Sequence, residues 1–448
     1  MSIFRAYDIR GRYPKEVNEE VAYKIGLGFA TYIGNDGKVS VGRDVRNSSK
    51  NLQESLIRGL KEGGLTVIDL GLITTPMLYF SVIHYDLKGG IMITASHNPP
   101  EWNGFKLCKE KGEMIAEGKG MEELKDIIMK AKFKRREGKE EKKENFLKDY
   151  ANYIVKKVKI KREIKGLADL SNGSCSYIVP KLFKELNLKM DFINHEPNGN
   201  FPSHLPEPNE ETLKPLAKLV QEGNYEFGVG YDGDGDRAVF LDNTGRIIRG
   251  DIILALLSKY YLKDSKGSVV FDVASSNVVK EVVEALGGKA IVSRVGHAYI
   301  KEEMIKNKAL IGGEVSSHLY FGEIFGLDDS IFATLKVMEL LSNTSKSFSD
   351  LLNELPKYFT TPVINFECPD EFKFLVIKEI IEELKPLNIN TLDGVKVNFE
   401  DGWFLIRASN TLPQIKLVAE AKSEKRLEEI LDFAKRILNK RLKAYLNL

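Results

Sequence analysis

The sequence predicts an α/β protein: three similar βαβ-type domains followed by a C-terminal α+β domain. Three observations carry this. An order of strand, polar turn, helix and strand occurs three times along the chain. The last stretch, residues 361–448, breaks that order. The chain of 448 residues, 43% hydrophobic and 29% charged, has the composition of a globular protein but exceeds what one core holds.

The elements follow in order. Residues 17–33 are amphipathic, with Val21, Ile25, Leu27 and Phe29 as apolar positions. Residues 38–42 (KVSVG) read as a strand entering the polar turn Arg43-Asp44-Val45-Arg46-Asn47-Ser48-Ser49. A helix over 49–62 is ended by Gly63 and Gly64, and 65–70 returns as a strand. The second copy runs through a strand at 166–171, the turn Asn172-Gly173-Ser174, a helix to Leu186 and a strand near 190–193. The third has a strand at 268–272, a turn over 273–277, a helix to Leu286, Gly287-Gly288 and a strand at 290–292. Identity between the copies is low, but each is a βαβ unit with small or polar residues where strand meets helix. Parallel strands follow, and ligands of such units gather at the strands' carboxyl ends.

Composition marks the boundaries. Residues 130–148 (KAKFKRREGKEEKKENFLK) are almost wholly charged and read as a solvated helix or linker. Residues 196–208, rich in Pro, Asn and Gly, read as a long loop inside the second unit. The expected domains are 1–148, 149–248, 249–360 and 361–448. The last has expected strands at 363–366, 394–399 and 403–408, with helices at 371–384 and 423–442.

A net charge of +2, from 66 basic and 64 acidic residues, argues against a dedicated nucleic-acid binder. Cys108, Cys175 and Cys368 lie far apart without metal-like spacing, as expected of free thiols in a reducing compartment. The N-terminal segment has no apolar signal core, and no run of about 18 apolar residues occurs. A cytoplasmic protein with no membrane partner is the expectation.

Four stretches carry chemistry. Residues 94–107 (TASHNPPEWNGFKL) place Ser96 on a bend between the strands 89–94 and 104–107, because Asn98-Pro99-Pro100 forces a turn. The bend is expected to project the Ser96 hydroxyl into the open, beside His97 and Lys106. The alternative is a polar turn whose Ser and Asn cap backbone groups. Residues 228–242 (GVGYDGDGDRAVFLD) space Asp232, Asp234 and Asp236 by glycines. In extended backbone their side chains face one way, and three converging carboxylates need a cation; hard oxygen ligands suit Mg²⁺. A calcium EF-hand loop fails here, because Arg237 and Asn243 stand where glycine and a bidentate acid are required. Arg237 is placed to contact a phosphate oxygen in the metal's shell. Residues 312–326 offer Glu314, Ser316 and His318 at every second position, suited to sugar hydroxyls or else a polar edge strand. Residues 407–413 (RASNTLP) form either a phosphate nest or simply a good turn.

Together these stretches resemble the α-D-phosphohexomutase superfamily, with wording most like phosphomannomutase/phosphoglucomutase. The resemblance spans essentially the whole chain in order. FRAYDIRG matches the N-terminal signature, TASHNP the phosphoserine loop, DGDGDR the metal loop, residues 314–318 the sugar loop and RASNT the phosphate loop. It implies three mixed-sheet α/β domains and a C-terminal domain around a central cleft. It also implies a phosphoserine at Ser96, Mg²⁺ held by Ser96, Asp232, Asp234 and Asp236, and a hexose 1,6-bisphosphate that serves as intermediate and activator. The catalytic residues it implies are Ser96, Lys106, Arg10, His97 and His318. The sugar-phosphate substrate would be bound by Tyr7, Arg237, His297, Glu314, Ser316, His318, Arg407, Ser409, Asn410 and Thr411, in a monomer or homodimer. Two positions depart from the pattern. Ser317 stands where the sugar loop usually has glycine, and Asp272-Val273-Ala274-Ser275 lacks the basic residue common after that strand. The rival readings are a phosphoglucosamine mutase, a metal-dependent phosphatase and a non-catalytic sugar-phosphate-binding regulatory protein.

Overall fold

The computed structural model describes residues 3–263, 265–409 and 412–446. The chain divides into two compact units, Met1–Ile253 with Ser316–Leu351, and Leu254–Val315 with Leu352–Leu448.

The first unit contains a six-stranded sheet ordered Ile9–Arg12, Trp102–Lys109, Gly89–Ile93, Lys38–Arg43, Thr66–Leu72, Lys139–Lys142. The last four strands are mutually parallel and the first two antiparallel, so the sheet is mixed. Gly89–Ile93 is buried at every position, which explains its unbroken apolar run. Helix Glu19–Tyr32 starts where the Asn18 side chain accepts from the Val21 N–H, with Glu19 and Glu20 in its first turn favouring the helix dipole. Its Ile25 and Phe29 pack with Leu56 and Leu60 of helix Ser49–Glu62 and with Val39, Ile91 and Phe105 of the sheet. Each such side chain contributes about 1.5–3 kcal/mol on full burial.

Two elements differ from expectation. The charged segment 130–148 is not a plain helix or linker: its Lys139–Lys142 pairs parallel with Thr66–Asp69 at the sheet edge, exposed at all four residues. Charge is tolerated there because the strand's faces stay in water, and it discourages further pairing. Helix Thr75–His84 was not anticipated; eight of its ten residues are buried, leaving no polar stripe to reveal a helical period.

A second, five-stranded sheet runs Ile247–Ile248, Ala238–Asp242, Phe227–Tyr231, Gly166–Asp169, Asp191–Ile193. Phe227–Tyr231 and Ala238–Asp242 are antiparallel, so the DGDGDR stretch is the turn of a hairpin. Residues 194–208 form a long loop that takes in the expected 196–208. Helix Ser330–Ser342 is buried throughout, and its first N–H groups are capped by Asp329.

In the second unit, Lys289–Ser293, Ser268–Asp272 and Ile311–Gly313 are parallel neighbours. Its C-terminal sheet is ordered Phe359–Thr360, Gln414–Ala421, Gly402–Ala408, Val395–Phe399, Ile389–Asn390, and Ile364–Glu367 also pairs with Gln414–Ala421. Every pairing is antiparallel. Gln414–Ala421 is a further strand not anticipated from the sequence. Among the described residues no helix is long and apolar enough to cross a membrane.

Candidate active site

Ser96 sits just past the strand Gly89–Ile93 with φ +50, a left-handed conformation rare for a residue with a Cβ. Its N–H donates to Thr94 Oγ1 at 2.8 Å, and the Asn98 N–H closes the turn onto the Ala95 carbonyl. The expectation of a hydroxyl projecting into the open is corrected: Ser96 is buried, and its Oγ donates to Asp232 Oδ2 at 2.8 Å. The neighbouring His97 Nδ1 lies 3.3 Å from the same oxygen. Arg10 reaches the loop from strand Ile9–Arg12, donating to Asn98 Oδ1 at 2.7 Å while paired with Asp8 at 2.5 Å. Tyr7 lies half-buried in the bend before that strand.

The three aspartates converge, though not through extended backbone. Residues 232–236 form a turn, with Asp232 Oδ1 accepting from the N–H groups of Gly235, Asp236 and Arg237 at 3.0–3.2 Å. That self-capping turn brings carboxylate oxygens of Asp232, Asp234 and Asp236 within 4.8 Å of one another. Gly235 has φ +72, and a Cβ on Gly233 would lie 2.4 Å from the Ser96 carbonyl oxygen. The glycines therefore serve both the turn and its approach to the serine loop.

Charge is balanced by buried cations. Lys106 Nζ donates to Asp234 Oδ2 at 2.8 Å and Asp236 Oδ2 at 2.5 Å. Burial opposes its charge, but those two carboxylates hold the ammonium well above its usual range. Burial and the other two acids push Asp232 up, whereas at Asp236 the effect of burial is outweighed by Lys106, His318 and Arg237, which hold it down. Burial, Arg237 and Arg10 depress His97 to about 2, leaving a neutral imidazole and a poor proton donor. Arg237 Nε lies 3.4 Å from Asp232 Oδ2, and its buried Nη2 has no hydrogen-bond partner among the described residues. Asp234 Oδ1 and Asp236 Oδ1 likewise lack partners. Three hard oxygen donors, two of them orphaned, fit a divalent cation such as Mg²⁺. His318 follows a turn rather than an alternating strand. Its Nδ1 is 2.9 Å from Asp328 Oδ2 and 3.9 Å from Asp236 Oδ1.

The chain matches four domain families in succession. They are described as phosphoglucomutase/phosphomannomutase alpha/beta/alpha domain I at residues 1–135, domain II at 145–245, domain III at 249–359, and the C-terminal domain at 363–437. The chain belongs to the phosphoglucomutase/phosphomannomutase family. A phosphoglucomutase/phosphomannomutase of Thermococcus kodakarensis is 36% identical, over 98% of this chain and 99% of the relative. A phosphomannomutase/phosphoglucomutase of Pseudomonas putida is 37% identical, over 96% and 94%. A crystal structure of a Burkholderia thailandensis protein of the phosphoglucomutase/phosphomannomutase family, 30% identical, superposes with a TM-score of 0.91 over 98% of this chain and 97% of that one.

In this family member the remaining sequence-derived residues fall as follows. In the second unit, Glu314 is buried and accepts from the Gly296 N–H at 2.8 Å, fixing the turn ahead of His297, the first residue of helix His297–Lys306. Ser316 is exposed, and Ser317 has φ +70. Residues 314–317 thus turn, and the alternation expected of Glu314, Ser316 and His318 does not hold, because a left-handed residue breaks the period of two. Arg407 pairs with Asp393 at 3.2 Å, and the same Asp393 oxygen accepts from the Val295 N–H at 3.1 Å. Lys416 lies opposite Arg407 in register, its pKa lowered by burial and by that guanidinium. Ser409 is buried and its Oγ accepts from the Leu412 N–H, while Lys373 Nζ donates to the Ser409 carbonyl at 2.6 Å. Asn410 and Thr411 lie outside the described residues.

Several supporting residues carry no signal in the sequence. Thr75 Oγ1 donates to Asp234 Oδ2 at 2.6 Å, Asp328 orients His318, Asp393 ties Arg407 to the Val295 turn, and Arg46 is enclosed by the serine loop. Asp328 and Thr75 fall in no element or motif that the sequence reveals, and Arg46 reads only as part of a polar turn.

Proposed function

We propose that this chain is a phosphohexomutase interconverting hexose 1-phosphate and hexose 6-phosphate, of mannose, glucose or both. The carrying observation is the Ser96 hydroxyl, 2.8 Å from Asp232 in a buried cluster that also holds Asp234, Asp236, Lys106 and Arg237. Ser96 carries a phosphoryl group. The bond from phosphorus to Ser96 Oγ breaks as a bond to the free sugar hydroxyl forms, giving a hexose 1,6-bisphosphate. After the sugar turns over, its other phosphate returns to Ser96, so phosphorus is conserved over the cycle. Free hexose 1,6-bisphosphate acts as activator by recharging Ser96.

Asp232, Asp234 and Asp236, with an oxygen on Ser96, would hold Mg²⁺, which when bound supplies positive charge at the phosphoryl oxygens. Arg237 and Arg10 stabilise negative charge at the transferred group, since guanidinium does not readily deprotonate. His318, oriented by Asp328, is the group assigned to accept the proton of the sugar hydroxyl. Lys106, held as an ammonium by Asp234 and Asp236, is assigned to donate toward the oxygen that leaves phosphorus, and His97 flanks Ser96 Oγ as a neutral imidazole. Tyr7 borders the sugar. Glu314, Ser316, His318 and His297 bind the sugar, while Arg407, Ser409, Asn410 and Thr411 hold the non-reacting phosphate. The domains are assigned as 1–148, 149–248, 249–360 and 361–448, in a cytoplasmic monomer or homodimer; the four successive family matches and the sparse cysteines support this.

The test is intact-mass analysis of purified protein together with turnover of glucose, mannose and glucosamine phosphates. One phosphate mapped to Ser96 and loss of turnover in Ser96→Ala are expected. A Ser96→Ala protein with most of its activity overturns the reading.

A further inference from the structure

We propose that Arg46 is the positioning residue of the Ser96 loop: one buried guanidinium that sets the direction in which the serine hydroxyl points. This rests on the mutase reading above and assigns a role to a residue that touches no reacting atom.

A guanidinium has five N–H donors in a rigid plane. In Arg46 all five are taken, four by backbone carbonyls of one short loop. Nη2 donates to the Ser96 carbonyl at 2.8 Å and to that of Asn98 at 2.6 Å. Nη1 donates to the carbonyls of Pro99 at 2.6 Å and Trp102 at 3.1 Å. Nε donates to Asp44 Oδ2 at 3.1 Å, which supplies the countercharge of a side chain with 0% exposure. The Phe201 ring lies 5.0 Å from the guanidinium carbon, so the 194–208 loop covers its face.

The residue at which this clamp begins is the one held in an unfavourable conformation. A non-glycine residue in the left-handed region is strained and persists only where its surroundings over-determine it. At Ser96 the N–H is fixed by Thr94 Oγ1 and the carbonyl by Arg46, so both peptide planes that define the side-chain direction are pinned. The same carbonyl faces Gly233 of the acidic turn, so the clamp also sets the distance between the two loops. Phosphoryl transfer depends almost entirely on such placement. A lysine at this position keeps the charge beside Asp44, but its three donors on a single nitrogen cannot span carbonyls from Ser96 to Trp102.

The experiment compares wild type and Arg46→Lys for melting temperature, steady-state kinetics with glucose 1-phosphate and mannose 1-phosphate in the presence of hexose 1,6-bisphosphate, and hydrogen–deuterium exchange. In a folded Arg46→Lys protein kcat should fall at least 100-fold with KM within threefold. Exchange should speed at least tenfold at 95–103 and not elsewhere. A folded variant that keeps kcat within threefold overturns the inference. If Arg46→Lys does not fold, Asp44→Asn replaces it; a kcat loss of about tenfold at constant KM supports the clamp, and unchanged kcat overturns it. If wild type turns over no hexose phosphate, the mutase reading fails by itself. The exchange comparison then decides on the clamp alone, since unchanged exchange at 95–103 removes it.

Discussion

Thr75 and Asp234 are joined twice. The Thr75 N–H donates to the Asp234 carbonyl at 2.9 Å, and the Thr75 hydroxyl donates to Asp234 Oδ2 at 2.6 Å. The first residue of a buried helix thereby holds both the backbone and the carboxylate of the central acid in the cluster.

Replacing Thr75 by Val keeps the shape and removes only the second bond. Loss of one hydrogen bond to a carboxylate should cost about 1.5–3 kcal/mol of stability. Groups that orient a metal ligand are typically worth about 10–100-fold in affinity. Calorimetric titration of Mg²⁺ or Mn²⁺ into Thr75→Val should therefore show binding at least tenfold weaker than wild type. Equal affinity would mean that Asp234 needs no orientation from the helix, or is not a ligand.

Gly233→Ala tests how closely the two loops must approach. Glycine to alanine at a negative φ normally stabilises by about 0.4–1 kcal/mol. At Gly233 the added Cβ meets the Ser96 carbonyl oxygen at 2.4 Å, a backbone atom already held by Arg46. Overpacking of this kind costs about 1–3 kcal/mol. The variant should melt lower and lose at least tenfold in kcat as Ser96 is pushed from Asp232. A protein that melts higher and turns over normally would show that the contact relaxes freely.

Arg407→Ala examines the phosphate cradle. A cradle that serves either end of the sugar must weaken for both substrates when its arginine is lost, so KM for the 1-phosphate and the 6-phosphate should each rise at least tenfold. Asp393→Ala, which leaves Arg407 in place but unanchored, should raise both by a smaller factor. A rise confined to one substrate excludes a shared cradle.

These residues mark where sequence reading succeeds and where it stops. Helix Ser49–Glu62 and strand Ser268–Asp272 were legible to the residue because glycines or turn residues bound them. Thr75–His84 was not, since a helix buried on nearly all sides shows no stripe, and Gln414–Ala421 was obscured by the turn-forming run just before it. In the site, Ser96 and the aspartates stood out because acids at fixed spacing demand a cation whatever the fold. Arg46 did not, because its partners are main-chain carbonyls some fifty positions away, which leave no trace in residue type. Asp393 and Thr75 were hidden for the same reason: their meaning lies in a single tertiary contact. The burial of Ser96 was also illegible, since the sequence showed a bend but not the acidic turn folded over it.

His204 gives the fold a pH dependence whose sign is fixed by its partners. Its Nδ1 lies 2.8 Å from the Leu205 carbonyl and its Nε2 3.0 Å from Asp169 Oδ2, so both ring nitrogens face acceptors and the imidazolium satisfies both. Burial alone would lower its pKa, but the hydrogen bond and charge of Asp169, with the Leu205 carbonyl, raise it above the ordinary 6.5. The contact pins the 194–208 loop, whose Pro206 carbonyl accepts from the Gly233 N–H. A group whose folded pKa is raised stabilises fully below its unfolded pKa, and that contribution is lost as pH climbs through the folded value. At pH 5.5, His204→Asn should therefore cost about 1–2 kcal/mol, seen as a lower melting temperature than wild type. At pH 9 the two proteins should melt closer together, because wild type has by then lost the charged contact. A gap that stays constant, or widens toward pH 9, would show that His204 is held as the neutral imidazole and that Asp169 fixes the loop without it.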